Sequence, residues 1–301
     1  MMSGTLEILE KQIASSEELG SIVRTMKALA ATNVRQYESA VESLDDYYRT
    51  VEMGLAVVFS SQEEMPAEPR IDPRKPELLL LFGSDHGLAG RFNEQIISFA
   101  LEEYWEKEGR VWPEKSILFC MGEQVYTRAE AAGLQPAGHF HIPVSPVGIN
   151  SAVRRLLERI ERQQRQQDVQ RVRIFYNRPL PNSGFASHAE MLLPVDLASL
   201  RRHKLAWSSR SIPTFTMPAP QLLSSLLGHY FFVSLYRAYA LSLAAENAAR
   251  LAAMQAAEKN IDERLEQLKT IFQQERQAAI TEELLDIVSG FKSLRRESPG
   301  R

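Results

Sequence analysis

With 301 residues, the chain is long enough for one large domain or two modest ones. Its 44% hydrophobic and 24% charged residues exclude wholesale disorder, and a net charge of −3 argues against the broad basic footprint of a nucleic-acid binder. The single cysteine, Cys120, excludes an internal disulfide framework and fits a reducing compartment; its setting in Ile117-Leu118-Phe119-Cys120-Met121 marks it as a small buried hydrophobe.

The opening Met1-Met2-Ser3-Gly4-Thr5-Leu6-Glu7 has neither the basic block nor the apolar block of a secretion signal. In the first sixty residues there is no proline, and apolar residues recur at alternating steps of three and four. The series is Val23, Met26, Ala30, Val34, Tyr37, Val41, Leu44, Tyr48, Val51, Leu55 and Val58, with Leu6, Leu9 and Ile13 upstream. A stripe sustained over that length predicts a coiled-coil helix over 1–65. Pro66, Pro69, Pro73 and Pro76 then end it and predict a linker from Ser61 to Pro76.

The middle, 66–215, reads as alternating strand and helix. Glu77–Phe82 is a short apolar run between Pro76 and Gly83, the pattern of a buried parallel strand. A helix over Phe92–Glu108, a strand over Ser116–Met121 and a helix over Glu123–Ala132 follow. Beyond them come a helix over Asn150–Gln167 and strands over Val169–Tyr176 and Met191–Leu197. This order implies a mostly parallel, Rossmann-like sheet with helices packed on it.

From Pro220 to about Leu294 proline is again absent, and a second stripe runs through Ile261, Leu265, Leu268, Phe272 and Ala279. Ahead of it lies a small-residue face of Ala244, Ala245, Ala248, Ala249, Ala252, Ala253 and Ala256, expected to lie against the N-terminal helix. The most apolar stretch, 222–245, is broken by His229, Arg237 and serines, so no membrane span is expected. The chain is expected to be soluble, or held at a membrane through partners. The polar tail, Arg295–Arg301, is expected to fray. At 1.5 Å per residue the two terminal helices would run about 85 and 110 Å. A compact chain of this size has a radius of gyration of only about 19 Å. The expected architecture is therefore an α/β fold: an antiparallel coiled coil of chain ends (1–65 and 216–301) with a Rossmann-like α/β domain inserted between them.

Chemistry is sparse. Gly83-Ser84-Asp85-His86-Gly87-Leu88-Ala89-Gly90 joins a strand to a helix, but its glycine spacing fits neither a dinucleotide turn nor a P-loop. It reads as a tight turn with Asp85 capping the helix that the turn opens. Adjacency of Ser84, Asp85 and His86 does not make a triad, whose members must converge in space. His139 and His141 are spaced to share a metal, yet no cysteine or carboxylate cluster supports them, which favours a surface loop. Glu63-Glu64, Arg154-Arg155 and Arg201-Arg202 read as solvated faces. No catalytic constellation, cofactor site or metal site is expected.

Four segments, in order along nearly the whole chain, carry a resemblance. Met26 with Ala30-Ala31 resembles Lys-Ala-Met-x-Met-Val-Ala-Ala. Ser84-Asp85-His86-Gly87-Leu88-Ala89-Gly90 looks like Ser-Asp-Arg-Gly-Leu-Cys-Gly. Ala245-Glu246-Asn247-Ala248-Ala249-Arg250-Leu251-Ala252-Ala253-Met254 is similar to Ser-Glu-His-Ala-Ala-Arg-Met-Val-Ala-Met. The fourth, residues 276–290, is close to Arg-Gln-Ala-x-Ile-Thr-x-Glu-Leu-x-Glu-Ile-Val-x-Gly. These are motifs of the γ subunits of F-type ATP synthases, of a divergent bacterial type.

The resemblance implies a rotor shaft that holds no active site. Three α and three β subunits would surround the coiled coil, and its rotation would drive the catalytic β sites. The globular foot would dock on the membrane-sector c-ring and an ε-type subunit, at the cytoplasmic face of the bacterial plasma membrane. Arg276, Gln277, Thr281 and Glu283 then resemble the polar residues that bond to a β-subunit loop. Met26 and Lys27 resemble a collar facing an acidic segment of β. The plainer alternative is that these six decorate an exposed helix face. The chain departs from the family at Glu17-Glu18-Leu19-Gly20, at Asn33 and at Pro179-Leu180-Pro181, and it lacks the cysteine pair of the light-regulated chloroplast type. The coupling ion stays open between proton and sodium. Two rivals remain: a coiled-coil scaffold with an α/β head, which predicts no preference for an α3β3 hexamer, and a small α/β enzyme, which requires a cofactor fingerprint.

Overall fold

The computed structural model describes residues 2–61, 72, 74–108, 116–180, 184–195 and 214–296. Most of the expected linker, the pairs Glu63-Glu64 and Arg201-Arg202, and the tail beyond Arg296 lie outside the described residues. The elements are α1 (Met2–Ser61), β1 (Glu77–Phe82), α2 (Phe92–Glu108), β2 (Ile117–Met121), α3 (Glu123–Ala131) and β3 (Gly138–Phe140). They continue with α4 (Pro146–Gln167), β4 (Arg171–Pro179), β5 (Phe185–Leu193) and α5 (Ala219–Arg296). The chain divides into two compact units: Met1–Leu29 with Ala252–Arg301, and Ala30–Leu251.

The larger unit holds a five-stranded sheet in the order β3-β2-β1-β4-β5. β1, β2, β3 and β4 run parallel, and β5 pairs antiparallel to β4. Apolar residues alternate along β1 between two cores, because successive strand side chains point to opposite faces. Leu78, Leu80 and Phe82 join Ile149, Val153 and Leu156 of α4, Tyr37 of α1, and Leu235, Tyr239 and Leu243 of α5. Leu79 and Leu81 join Ile96 and Ala100 of α2, Val125 and Ala129 of α3, and Cys120. Covered on both faces, β1 and β2 must be apolar throughout, as their sequences are. The one charge in β1, Glu77, is held between Arg173 (3.1 Å) and Arg171 (3.3 Å) of β4. Burial raises the Cys120 thiol to about 12, with Glu130 adding to the effect.

Several boundaries differ from expectation. α4 begins at Pro146 rather than Asn150, because proline at the first helical position has no amide to lose. β5 covers Phe185–Leu193 rather than Met191–Leu197; it is an edge strand whose stretch of half-buried Ala, Ser and His residues ahead of Met191 has no apolar run. His139 lies in β3, paired with Cys120 of β2, and not in a loop. The alanine face is also divided. Ala245 and Ala249 pack on Ala89, Phe92 and Phe185, while Ala244 joins the core that contains Tyr37 of α1.

Two glycines close the carboxyl ends of β1 and β2. Gly122 has φ 116°, and a Cβ there would meet the Ser84 carbonyl oxygen at 2.5 Å. At Gly83 a Cβ would stand 2.3 Å from Val125 Cβ. Their own amides bond to the Met121 and Phe140 carbonyls at 2.9 and 2.8 Å. A Cβ at Gly87, by contrast, meets nothing within 4 Å. Gly122→Ala is therefore expected to cost about 3 kcal/mol or more in a thermal or denaturant melt, and Gly87→Ala to stay within about 0.5 kcal/mol.

Candidate partner-binding surface

The six residues implicated by resemblance all fall in the unit formed from the chain ends. There α1 and α5 pair antiparallel, and charge sets their register. Lys269 Nζ is 2.7 Å from Glu17, Arg24 is 4.0 Å from Asp262, and Lys27 Nζ is 2.5 Å from Glu258. The partners' numbers total 286, 286 and 285, as a continuous antiparallel pair requires. Between the charges runs the apolar seam read from the sequence. Leu9, Leu268 and Met254 are buried, and Ile13, Val23, Ile261, Leu265, Phe272 and Ala279 are half-buried.

Gly20 belongs to this seam, one step of four before Arg24 and buried. A Cβ added to it would lie 3.4 Å from Ile261 Cγ2 and 3.5 Å from the Arg24 guanidinium, which is ordinary contact. Its backbone therefore carries the entropy of glycine without a steric need for it. Gly20→Ala is expected to raise stability by about 1 kcal/mol, read as a higher denaturant midpoint at unchanged slope.

Met26 and Lys27 sit half-buried on α1, and Lys27 already holds Glu258 within its own unit. On α5, Arg276, Gln277, Thr281 and Glu283 are all exposed. Thr281 Oγ1 donates to the Gln277 carbonyl at 2.9 Å, a bond back to the preceding turn that leaves the hydroxyl oxygen's lone pairs outward. Around them Ile280, Leu284, Leu285, Ile287 and Val288 are 50 to 61% exposed. Singly exposed apolar residues are ordinary, but five within nine positions of one helix make a contiguous apolar patch. Periodicity alone does not single out this surface, because its apolar residues continue the spacing of the seam.

The other residues singled out in the sequence do not converge on a catalytic site. Ser84 Oγ donates to the His86 backbone carbonyl (2.8 Å) and accepts from Asn93 Nδ2 (2.8 Å), while the His86 ring side is exposed. Asp85 caps a helix, though not the one its turn opens. Its carboxylate accepts the first amide of α3, Glu123 N, and the Ile142 amide beyond β3, each at 2.9 Å. It thereby ties the β1–α2 turn to two other segments. His139 pairs with Glu123 at 3.0 Å and His141 lies 3.7 Å from Asp85; among the described residues no three such side chains could hold a metal ion. Arg154 and Arg155 are solvated on α4. Among the described residues, no helix is long and apolar enough to cross a membrane.

Comparison with known proteins bears on this geometry. The sequence model of the family described as ATP synthase matches residues 5–294. An ATP synthase gamma chain of Bdellovibrio bacteriovorus is 26% identical over 97% of this chain and 99% of its own length. One from Phocaeicola vulgatus is 28% identical over 95% and 98%. A chain in the OSCP/F1/c-ring structure of the Euglena gracilis mitochondrial ATP synthase aligns with TM-score 0.67 at 16% identity, covering 99% of this chain and 98% of that one. A chain in the rotor structure of the same enzyme gives TM-score 0.63 at 15% identity over 92% and 99%.

Proposed function

The chain belongs to the ATP synthase family, and from that premise we infer that it works as the non-catalytic rotor shaft of an F-type ATP synthase. Rotation of an ion-driven membrane ring enters through its α/β portion. It reaches catalytic sites on three β subunits through the helical pair of its chain ends. The observation that carries this reading is the chain-end unit: two antiparallel helices in charge-fixed register, whose α5 presents an exposed apolar patch interleaved with Arg276, Gln277, Thr281 and Glu283. A surface of that composition suits a sleeve of surrounding α and β subunits, with the polar residues bonding to a β loop. Met26 and Lys27 form the collar, where Lys27 would exchange Glu258 for, or share it with, an acidic segment of β. The α/β portion contacts the c-ring and an ε-type subunit. The chain is part of a membrane-associated complex, and its bacterial relatives support the cytoplasmic face of the plasma membrane as the place.

Two measurements test the reading. The full chain alone is expected to hydrolyse no ATP. Co-expressed with its cognate α and β subunits, it should elute from size exclusion as one copy per six partners, with activity that depends on its presence. Elution of the chain by itself, with the activity of α and β unchanged, would favour the scaffold reading instead. Within the complex, Arg276→Ala combined with Thr281→Ala removes two surface hydrogen-bonding groups. The pair is expected to lower turnover or coupling about tenfold. Stability of the chain should stay within about 0.5 kcal/mol, as suits exposed positions. Parent-like turnover and coupling in the double variant would remove the assignment of these residues to a β contact.

A further inference from the structure

The β1–α2 turn, residues 83–91, stands between two sets of ties, all of them inside the unit Ala30–Leu251. On one side it is fixed to the sheet edge. Asp85 accepts the Glu123 and Ile142 amides at 2.9 Å each. Asn93 accepts the Ser84 amide at 3.0 Å and donates through Nδ2 to Ser84 Oγ at 2.8 Å. On the other side the turn meets α5. Ala89, with Phe92 at the start of α2, packs on Ala245 and Ala249, whose side chains are small enough to let the turn lie close. Next to them Arg250 Nη2 donates to the Gly87 carbonyl at 3.4 Å and to Glu246 Oε1 at 2.7 Å. The side chains of Arg250 and Glu246 are only 17 and 7% exposed, so the pair is little screened. One guanidinium nitrogen thus joins the tip of the turn to a buried carboxylate.

Two physical differences give that bond its importance. Apolar contact is non-directional, so Ala89 and Phe92 on a run of alanines leave the turn free to slip along α5; a hydrogen bond has a preferred angle and fixes one position. The Gly87 carbonyl also belongs to the peptide plane that precedes Leu88. Holding that plane helps keep Leu88 at φ 65°, a conformation that costs a non-glycine residue energy and persists only while its surroundings hold it.

We infer that the β1–α2 turn is the joint at which load passes between the sheet and α5, with Arg250, anchored by Glu246, as its positioning residue. This assignment deepens the rotor reading, on which it rests, by locating where rotation crosses into α5.

Nitrogen-15 relaxation on the full chain reads backbone order at Gly87 and Leu88. Order parameters of about 0.85 are expected in the parent and below about 0.6 in Arg250→Met. Arg250→Lys keeps a cationic donor and should restore most of the difference. The Glu123 and Ile142 amides, held by Asp85, should not change. Should Arg250→Met unfold because a lone carboxylate is left buried, Glu246→Gln combined with Arg250→Met removes both charges and should show the same loosened tip. In the complex assembled with α, β and the membrane sector, ions pumped per ATP hydrolysed should fall at least about twofold in Arg250→Met and recover in Arg250→Lys. A parent chain that does not assemble would remove the rotor reading and this assignment with it. Normal assembly with a tip as ordered as the parent's, or with parent-like pumping per ATP despite a loosened tip, overturns the assignment of Arg250 alone.

Discussion

Register between the two chain ends is the constraint on which the helical unit depends. An apolar seam alone tolerates sliding by a turn of helix, since positions three and four apart are nearly equivalent. The pairs Glu17–Lys269, Arg24–Asp262 and Lys27–Glu258 remove that freedom, because a one-turn slip would separate all three at once. Exposed pairs of this kind add little stability. Their effect is to select one alignment of the two helices.

In the larger unit the equivalent constraint is the closure of β1 and β2 at their carboxyl ends. Gly83 and Gly122 bring the two strand ends within backbone contact, and Asp85 then reaches across to the start of α3 and the exit of β3. In open α/β sheets this edge is where ligands usually bind. Here its polar groups bond to one another: Ser84 with Asn93, Asp85 with two amides, and Arg250 with Glu246 and Gly87.

Much of the architecture was legible because its signals are long or strong. The stripe from Val23 to Val58 and that from Ile261 to Ala279 face inward as their spacing implies, and Leu78–Phe82 is buried because helices cover both faces of its sheet. β3 gives no signal because three residues carry no period, and β5 is legible only at its Met191-Leu192-Leu193 end, since Ala186, Ser187, His188 and Ala189 ahead of it hold no apolar run. Asp85 was assigned to the nearer helix, since local sequence cannot show that a turn will meet a segment 38 residues on. The candidate contact residues are a different case. Nothing in the periodicity distinguishes Arg276 or Thr281 from any exposed helical position, and only likeness to other sequences singles them out.

The division of the chain has a consequence for how the protein is made. One unit needs residues up to Leu29 and residues from Ala252 onward, and the 222 residues between belong to the other. At typical rates of synthesis the N-terminal segment waits roughly 10 to 40 seconds for its partner helix to leave the ribosome. During that interval Leu9, Ile13, Val23 and Met26 have no seam to enter, while the larger unit completes its sheet before α5 has fully emerged. Biogenesis thus runs inside out, with the middle of the chain folding first and the two ends zipping last. A chaperone that shields a single amphipathic helix would act on this protein at its very first residues.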